Sequence, residues 1–140
     1  MDSFIQPDET NWSEAKLQSE CFQWHWNEYP EERGLLHCNN NNSENRIKGN
    51  LNKAVGVVKG VADLEYLASG FTCFIEMKLP GQSQSREQIR FMRQCFDRGH
   101  EYVIIRSKPA FMALMQQLQR GQRPQSVEQF NQPQSHATHS

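Results

Sequence analysis

The chain has 140 residues and a formal net charge of −1, with a pI near 6.5. Bulk positive charge therefore cannot be what would hold it to a polyanion, although a local basic surface stays open. Apolar residues make up 36% and the mean hydropathy is −0.81, which suits one modest soluble domain with polar edges.

No apolar run is long enough to cross a bilayer, and the opening MDSFIQPDET has neither the basic nor the apolar region of a signal peptide. An intracellular protein with no membrane partner is expected. Cys21, Cys38, Cys73 and Cys95 form no CxxC pair, so small buried thiols in a reducing compartment are the first reading. Cys21, His25, His37 and Cys38 could be imagined around zinc, but their spacing is poor for four convergent ligands.

In chain order, residues 1–12 read as a flexible lead-in. Asn11 or Ser13 can cap a first helix, with Glu14 completing an Asn-x-x-Glu box. That helix runs to about Glu28 and stops at Tyr29-Pro30. Leu17, Cys21 and Trp24 form its inward stripe, and Glu20 lies one position off it. A strand is expected over 34–38, followed by an Asn-rich loop over 39–45. Asn40 lies in this loop, whose asparagines tolerate positive φ and can also reach phosphate or base. A short helix is expected over 44–54, weakened by Gly49. Gly56 and Gly60 then bracket Val57-Val58-Lys59, a pattern that lets backbone or nucleic acid approach closely. Lys48, Lys53 and Lys59 are either phosphate contacts or ordinary surface charges.

The stretch over 60–79, GVADLEYLASGFTCFIEMKL, reads as a hairpin. Its strands cover 61–68 and 71–79, joined by Ser69-Gly70 with glycine supplying the positive φ. This turn pairs Ala68 with Phe71 and, counting back, Asp63 with Glu76. One face then carries Ala62, Leu64, Tyr66, Ala68, Phe71, Cys73, Ile75, Met77 and Leu79, and is core. The other carries Asp63, Glu65, Thr72, Phe74, Glu76 and Lys78. Facing carboxylates cost roughly 0.2–1 kcal/mol even in an exposed sheet. A hard divalent cation between them converts that repulsion into binding.

Beyond the hairpin come a Pro80-Gly81 turn and a helix over 85–98, opened by the box Ser85-Arg86-Glu87-Gln88. Gln88 is either the reciprocal cap of that box or a group facing the sheet. Arg86, Arg90 and Arg93 form a basic strip that could meet a phosphate backbone. Gly99 closes the helix in left-handed conformation. EYVIIR over 101–106 is a central strand, parallel to the second hairpin strand across the helical crossover. Ser107 caps a last helix over 109–118 with Phe111, Leu114, Met115 and Leu118 as its core stripe. From Gly121 onward the Gln, Ser and Pro content reads as disorder, which leaves His136 and His139 poor catalytic candidates.

An Asp, a short hairpin and then Glu-x-Lys resembles the PD-(D/E)xK nuclease superfamily. The longer run, GVVKGVADL, then FIEMKLPGQSQSREQIRF, then a Gly ahead of EYVIIRS, resembles the virus-type replication-repair nuclease (VRR-NUC) family over residues 19–115. The resemblance implies an α/β restriction-endonuclease-like core, a mixed central sheet flanked by helices on both faces, spanning 13–120 between the lead-in and a 121–140 tail. It implies a metal-dependent DNA endonuclease using Mg2+, with Mn2+ as substitute, held by Asp63, Glu76, the Met77 carbonyl and Glu20 on the first helix. Lys78 would orient water or stabilise charge, and Gln88 would face the site. Asn40, Lys53, Lys59, Arg86 and Arg90 would contact DNA. Homodimers acting on branched DNA such as four-way junctions, in replication and repair in a bacterial or phage-encoded cytoplasmic setting, follow from the resemblance alone. A flap or restriction-type nuclease, or a non-catalytic nucleic-acid-binding module on the same fold, are the alternative readings.

Overall fold

The structure is a computed structural model that describes residues 8–39 and 54–132. Its centre is a four-stranded sheet in the order β1-β2-β3-β4, formed by Leu36–Cys38, Leu64–Ala68, Phe71–Met77 and Glu101–Ile105. The first three strands are antiparallel neighbours, and β4 runs parallel to β3. Helices α1 (Glu14–Glu28), α2 (Arg86–Asp97) and α3 (Lys108–Gln119) complete the fold. It is the α/β architecture expected, with a mixed sheet covered on both faces.

The hairpin turn sets the register as anticipated: Ala68 faces Phe71, Leu67 faces Thr72, and the ladder runs back to Leu64 opposite Ile75. Gly70 has φ 89°, a conformation that a β-carbon disfavours. On one face, Leu64, Tyr66, Phe71, Cys73, Ile75 and Met77 pack with Leu17 and Cys21 of α1 and with Phe111, Leu114, Met115 and Leu118 of α3. On the other, Tyr102 and Ile104 of β4 and Cys95 of α2 form a smaller cluster with Ala62, against which Phe74, Phe91, Met92 and Val127 pack.

One expectation about the hairpin is corrected here. The chain bends at Asp63 before the strand begins, so Ala62 joins the α2-side cluster instead of lying on the face of Leu64. Strict alternation holds only inside the ladder, and the bend breaks it.

The ends of the folded unit also extend further than composition suggested. Ser13, not Asn11, caps α1 by accepting from the Lys16 amide. Ahead of it, the Glu9 carboxylate accepts from the Lys108 amide at 3.1 Å, and Trp12 packs on the large core. Residues 8–12 are thus tied to the start of α3. After α3, residues 121–132 fold back: the Ile104 amide donates to Val127 O at 2.9 Å, Phe130 packs on the large core, and a 3-10 turn forms at Gln129–Asn131. The reading of disorder from Gly121 is therefore corrected for these residues. Their polar side chains find partners inside the fold, which composition cannot reveal. The expected helix over 44–54, apart from its last residue, lies outside the described residues, as do Asn40, Lys48, Lys53, His136 and His139.

His25 is almost fully buried, unforeseen from its chemistry, and its Nε2 meets Glu32 Oε1 at 2.9 Å. The same oxygen accepts from the Tyr66 hydroxyl at 3.0 Å and from the Gln119 amide at 3.2 Å. One carboxylate thus ties α1 to β2 and α3, which satisfies a buried polar group that would otherwise destabilise the core. His37 pairs with Glu65. Both histidines of the zinc alternative are thus engaged by carboxylates, and among the described residues no three His, Cys, Asp or Glu side chains gather as a metal cluster.

Candidate active site

The site lies where β3 leaves the sheet. Alternation sends Ile75 and Met77 into the large core and turns Glu76 and Lys78 toward α2. Asp63 sits one step beyond the last ladder pair, so the extended register sets it against Glu76. Its Oδ2 accepts from the Met77 amide at 2.8 Å. Asn39, just after β1, fixes the bend: its amide donates to Asp63 O at 2.9 Å and its Nδ2 to Ala62 O at 3.0 Å. Nothing in the Asn-rich pattern over 39–45 singles Asn39 out for this role.

Glu76 is 2% exposed. Its Oε2 accepts from Gln88 Nε2 at 3.0 Å and lies 4.0 Å from Lys78 Nζ, while its buried Oε1 has no hydrogen-bond partner. Burial, then the adjacent Asp63 carboxyl, push the Glu76 pKa up to about 9, against the pull of Lys78. Burial raises Asp63 as well, opposed by the Met77 amide. Without a cation the pair keeps a proton on Glu76 at neutral pH, because two adjacent carboxylates shielded from water do not both ionise.

The two readings of Gln88 both hold. Its Oε1 accepts from the Ser85 amide at 2.8 Å and its own amide donates to Ser85 Oγ at 3.1 Å, closing the capping box. The remaining end of the same side chain reaches Glu76. Gly60 allows α2 to start here: it has φ +95°, and a β-carbon would lie 2.6 Å from the Glu87 carbonyl. The glycine expected to permit close approach of a backbone does so, against the helix that carries Gln88.

The first helix departs from expectation. Glu20 is held in ion pairs with Lys16 at 2.9 Å and Lys108 at 3.3 Å, and these keep its pKa below the ordinary carboxylate value. Glu14, one turn and a half earlier, lines an open cavity of about 970 Å³ together with Asp63, and Gln18, Phe22, His37 and Asn39 share its wall. Its charge is among those acting on Glu76. At about 100° per residue, Glu14 and Glu20 sit about 60° to either side of Leu17, so the sequence could not say which flank faces the sheet.

Arg86 and Arg90 stand exposed on α2, as does Arg93. Lys59 is exposed and paired with Glu87 at 3.8 Å. The structure therefore brings together Asp63, Glu76, Met77, Lys78 and Gln88, sets Lys59, Arg86 and Arg90 on the surface by the start of α2, and keeps Glu20 with its lysines.

The donor set fits a hard divalent cation. It offers paired carboxylates of raised pKa and a buried oxygen without a partner, an arrangement that destabilises the protein unless a positive charge relieves it. Two carboxylates leave further positions for backbone oxygen and water.

The fold is thus a mixed α/β sheet with helices on both faces, Asp63 standing just ahead of β2 and Glu76-Met77-Lys78 running off the end of β3. A solved structure described as "VRR_NUC domain protein" has the same fold, with a TM-score of 0.67 and 16% sequence identity over 86% of this chain and 98% of that one. No family model matches the chain, and no curated protein matches it.

Proposed function

We propose that the protein is a metal-dependent DNA endonuclease of the VRR-NUC kind, hydrolysing phosphodiester bonds with Mg2+, or Mn2+ in its place. The observation that carries this reading is the pairing of half-buried Asp63 with buried Glu76, with Glu76 Oε1 unpartnered and Lys78 and Gln88 converging on the opposite oxygen. A module used only for binding has no physical reason to keep two carboxylates where burial raises the pKa of both.

Asp63, Glu76 and the Met77 carbonyl would hold the ion, with Glu14 the acid of α1 that faces the same cavity. The bound ion would supply Lewis-acid polarisation of the phosphate and acidify a water. The chain's own groups do the rest. Gln88 holds Glu76 in one orientation through its Nε2. Lys78 presents its ammonium to charge developing on the phosphate, an electrostatic task best done from a water-poor site. Arg86 and Arg90, with Lys59, give the start of α2 a local basic rim for the DNA backbone despite the net charge of −1. Branched DNA, with four-way junctions ahead of flaps, is the proposed substrate, cut by a homodimer in replication or repair within the cytoplasm.

The test is incubation of the purified protein with labelled four-way junction, 5′-flap, nicked and linear duplex DNA, in Mg2+, Mn2+ or EDTA, beside Asp63→Asn. Metal-dependent cutting that disappears in the variant is expected, strongest on the junction. DNA binding without cutting in any metal would replace this reading with the non-catalytic module.

A further inference from the structure

Lys78 and Gln88 lie on either side of a single turn, and that turn is held from behind. Within it, the Gln82 amide donates to Leu79 O at 3.1 Å and the Leu79 amide to Gln82 Oε1 at 3.0 Å. Among the described residues, one side chain from elsewhere grips its backbone. Arg106 Nη1 donates to the carbonyls of Leu79 and Gln82, both at 2.9 Å. The other edge of the guanidinium is taken by Glu128, with Nε to Oε1 at 3.0 Å and Nη2 to Oε2 at 2.7 Å.

Glu128 belongs to the segment that folds back after α3. Asn131 fastens the same segment: its Oδ1 accepts from the Arg106 amide at 3.0 Å, and its Nδ2 donates to Ile104 O at 2.6 Å and Glu128 Oε1 at 2.7 Å. The Lys78 amide itself donates to Ile105 O at 3.1 Å, one residue before Arg106. A planar guanidinium can serve a carboxylate with one edge and two carbonyls with another, which an ammonium cannot do.

We infer that Arg106 is a positioning residue for Lys78 and Gln88, held in its own geometry by Glu128 and Asn131, so that the folded-back segment is part of the site's support. Its catalytic meaning rests on the nuclease reading above. Arg106 touches neither Asp63 nor Glu76 nor, on this view, the substrate. It acts by fixing the turn from which Lys78 precedes and Gln88 follows, and displacements near 1 Å at a reacting group cost on the order of a hundredfold in rate.

The experiment uses the full chain and two readouts. Amide hydrogen exchange by NMR in the absence of metal and DNA should show protected Lys78 and Gln82 amides, which exchange about tenfold faster or more in Arg106→Gln, with faster exchange at Ile104 as the 126–131 segment loosens. On the best-cut DNA, Arg106→Gln should lower kcat by about ten- to a hundredfold with KM nearly unchanged. In a background carrying both Lys78→Ala and Gln88→Ala the same substitution should cost almost nothing more, because its effect passes through those two side chains. Losses that still multiply in that background, or unchanged exchange at Lys78 and Gln82, would overturn the inference. If Arg106→Gln does not fold, Glu128→Gln, on a half-exposed partner, serves with smaller effects of the same sign. A wild-type protein that cuts no DNA defeats the nuclease reading, and the exchange data then decide alone whether Arg106 holds the turn.

Discussion

The two faces of the sheet are built for different ends from the same strands. Under α1 and α3, the inward residues of β2 and β3 are hydrophobic, Tyr66 alone carrying a polar tip that reaches Glu32, and the cluster is continuous from Leu17 to Leu118. Under α2, the cluster is small, and it borders a carboxylate that is 2% exposed with one oxygen unpartnered. The large face carries the stability, and the small one tolerates a polar site that lowers it. In β3 the division is made residue by residue, Ile75 and Met77 to one side and Glu76 to the other.

The largest separation of the faces is expected from truncation in the core. Phe111, with no exposed surface, should lose about 3–5 kcal/mol on Phe111→Ala, measured by urea unfolding. Phe91→Ala on the partly buried α2 side should lose roughly half of that or less. Equal losses would show that the two faces share the load evenly.

Next comes Gly60→Ala, where both a positive φ and a contact at 2.6 Å oppose the new methyl. A loss of roughly 1–3 kcal/mol is expected, together with a disturbed Gln88 side-chain resonance. Gly56, which has positive φ but open space around it, should lose less.

Glu76→Gln should act in the opposite direction when no metal is present. The folded protein holds the Glu76 proton up to about pH 9 while an unfolded chain releases it near 4.5. Stability from this group is therefore complete below pH 4.5 and declines as pH rises through 9; the raised Asp63 contributes with the same sign. Melting temperature without metal should fall by several degrees from pH 5 to pH 9, Mg2+ should recover most of it, and Glu76→Gln should flatten both responses. A flat wild-type profile would show that the pair is not buried in solution.

The smallest effect belongs to the surface. Lys59, 83% exposed beside Glu87, should change stability by no more than about 0.5 kcal/mol on Lys59→Ala, while DNA affinity falls a few-fold at low salt.

Local chemistry made the hairpin legible. Ser69-Gly70 dictates a two-residue turn, and the register from that turn leads unaided to the Asp63 and Glu76 pairing. The crossover to β4 and the caps at Ser85 and Ser107 were legible for the same reason, since each is decided within a few residues. Three-dimensional neighbours decided the rest. Whether Glu14 or Glu20 faces the sheet depends on the azimuth of α1, which Lys16 and Lys108 help to set by engaging Glu20. The order of 121–132 depends on Arg106, at least fifteen residues earlier, offering donors to Glu128. His25 extends the Leu17 and Cys21 stripe by one turn, so its burial could have been read from spacing. Its partner Glu32, seven residues away, could not.

The shared duties of Gln88 settle the polarity of the site. A side-chain amide that turns over exchanges a donor for an acceptor. Here the Ser85 amide needs an oxygen opposite it, so the nitrogen is obliged to face Glu76. The carboxylate thus meets a donor of fixed sign, prescribed by the way a helix begins. Gln88→Glu would keep the helix start and its shape while turning that donor into a repelling oxygen. One atom's identity would then separate a folded helix from a working site.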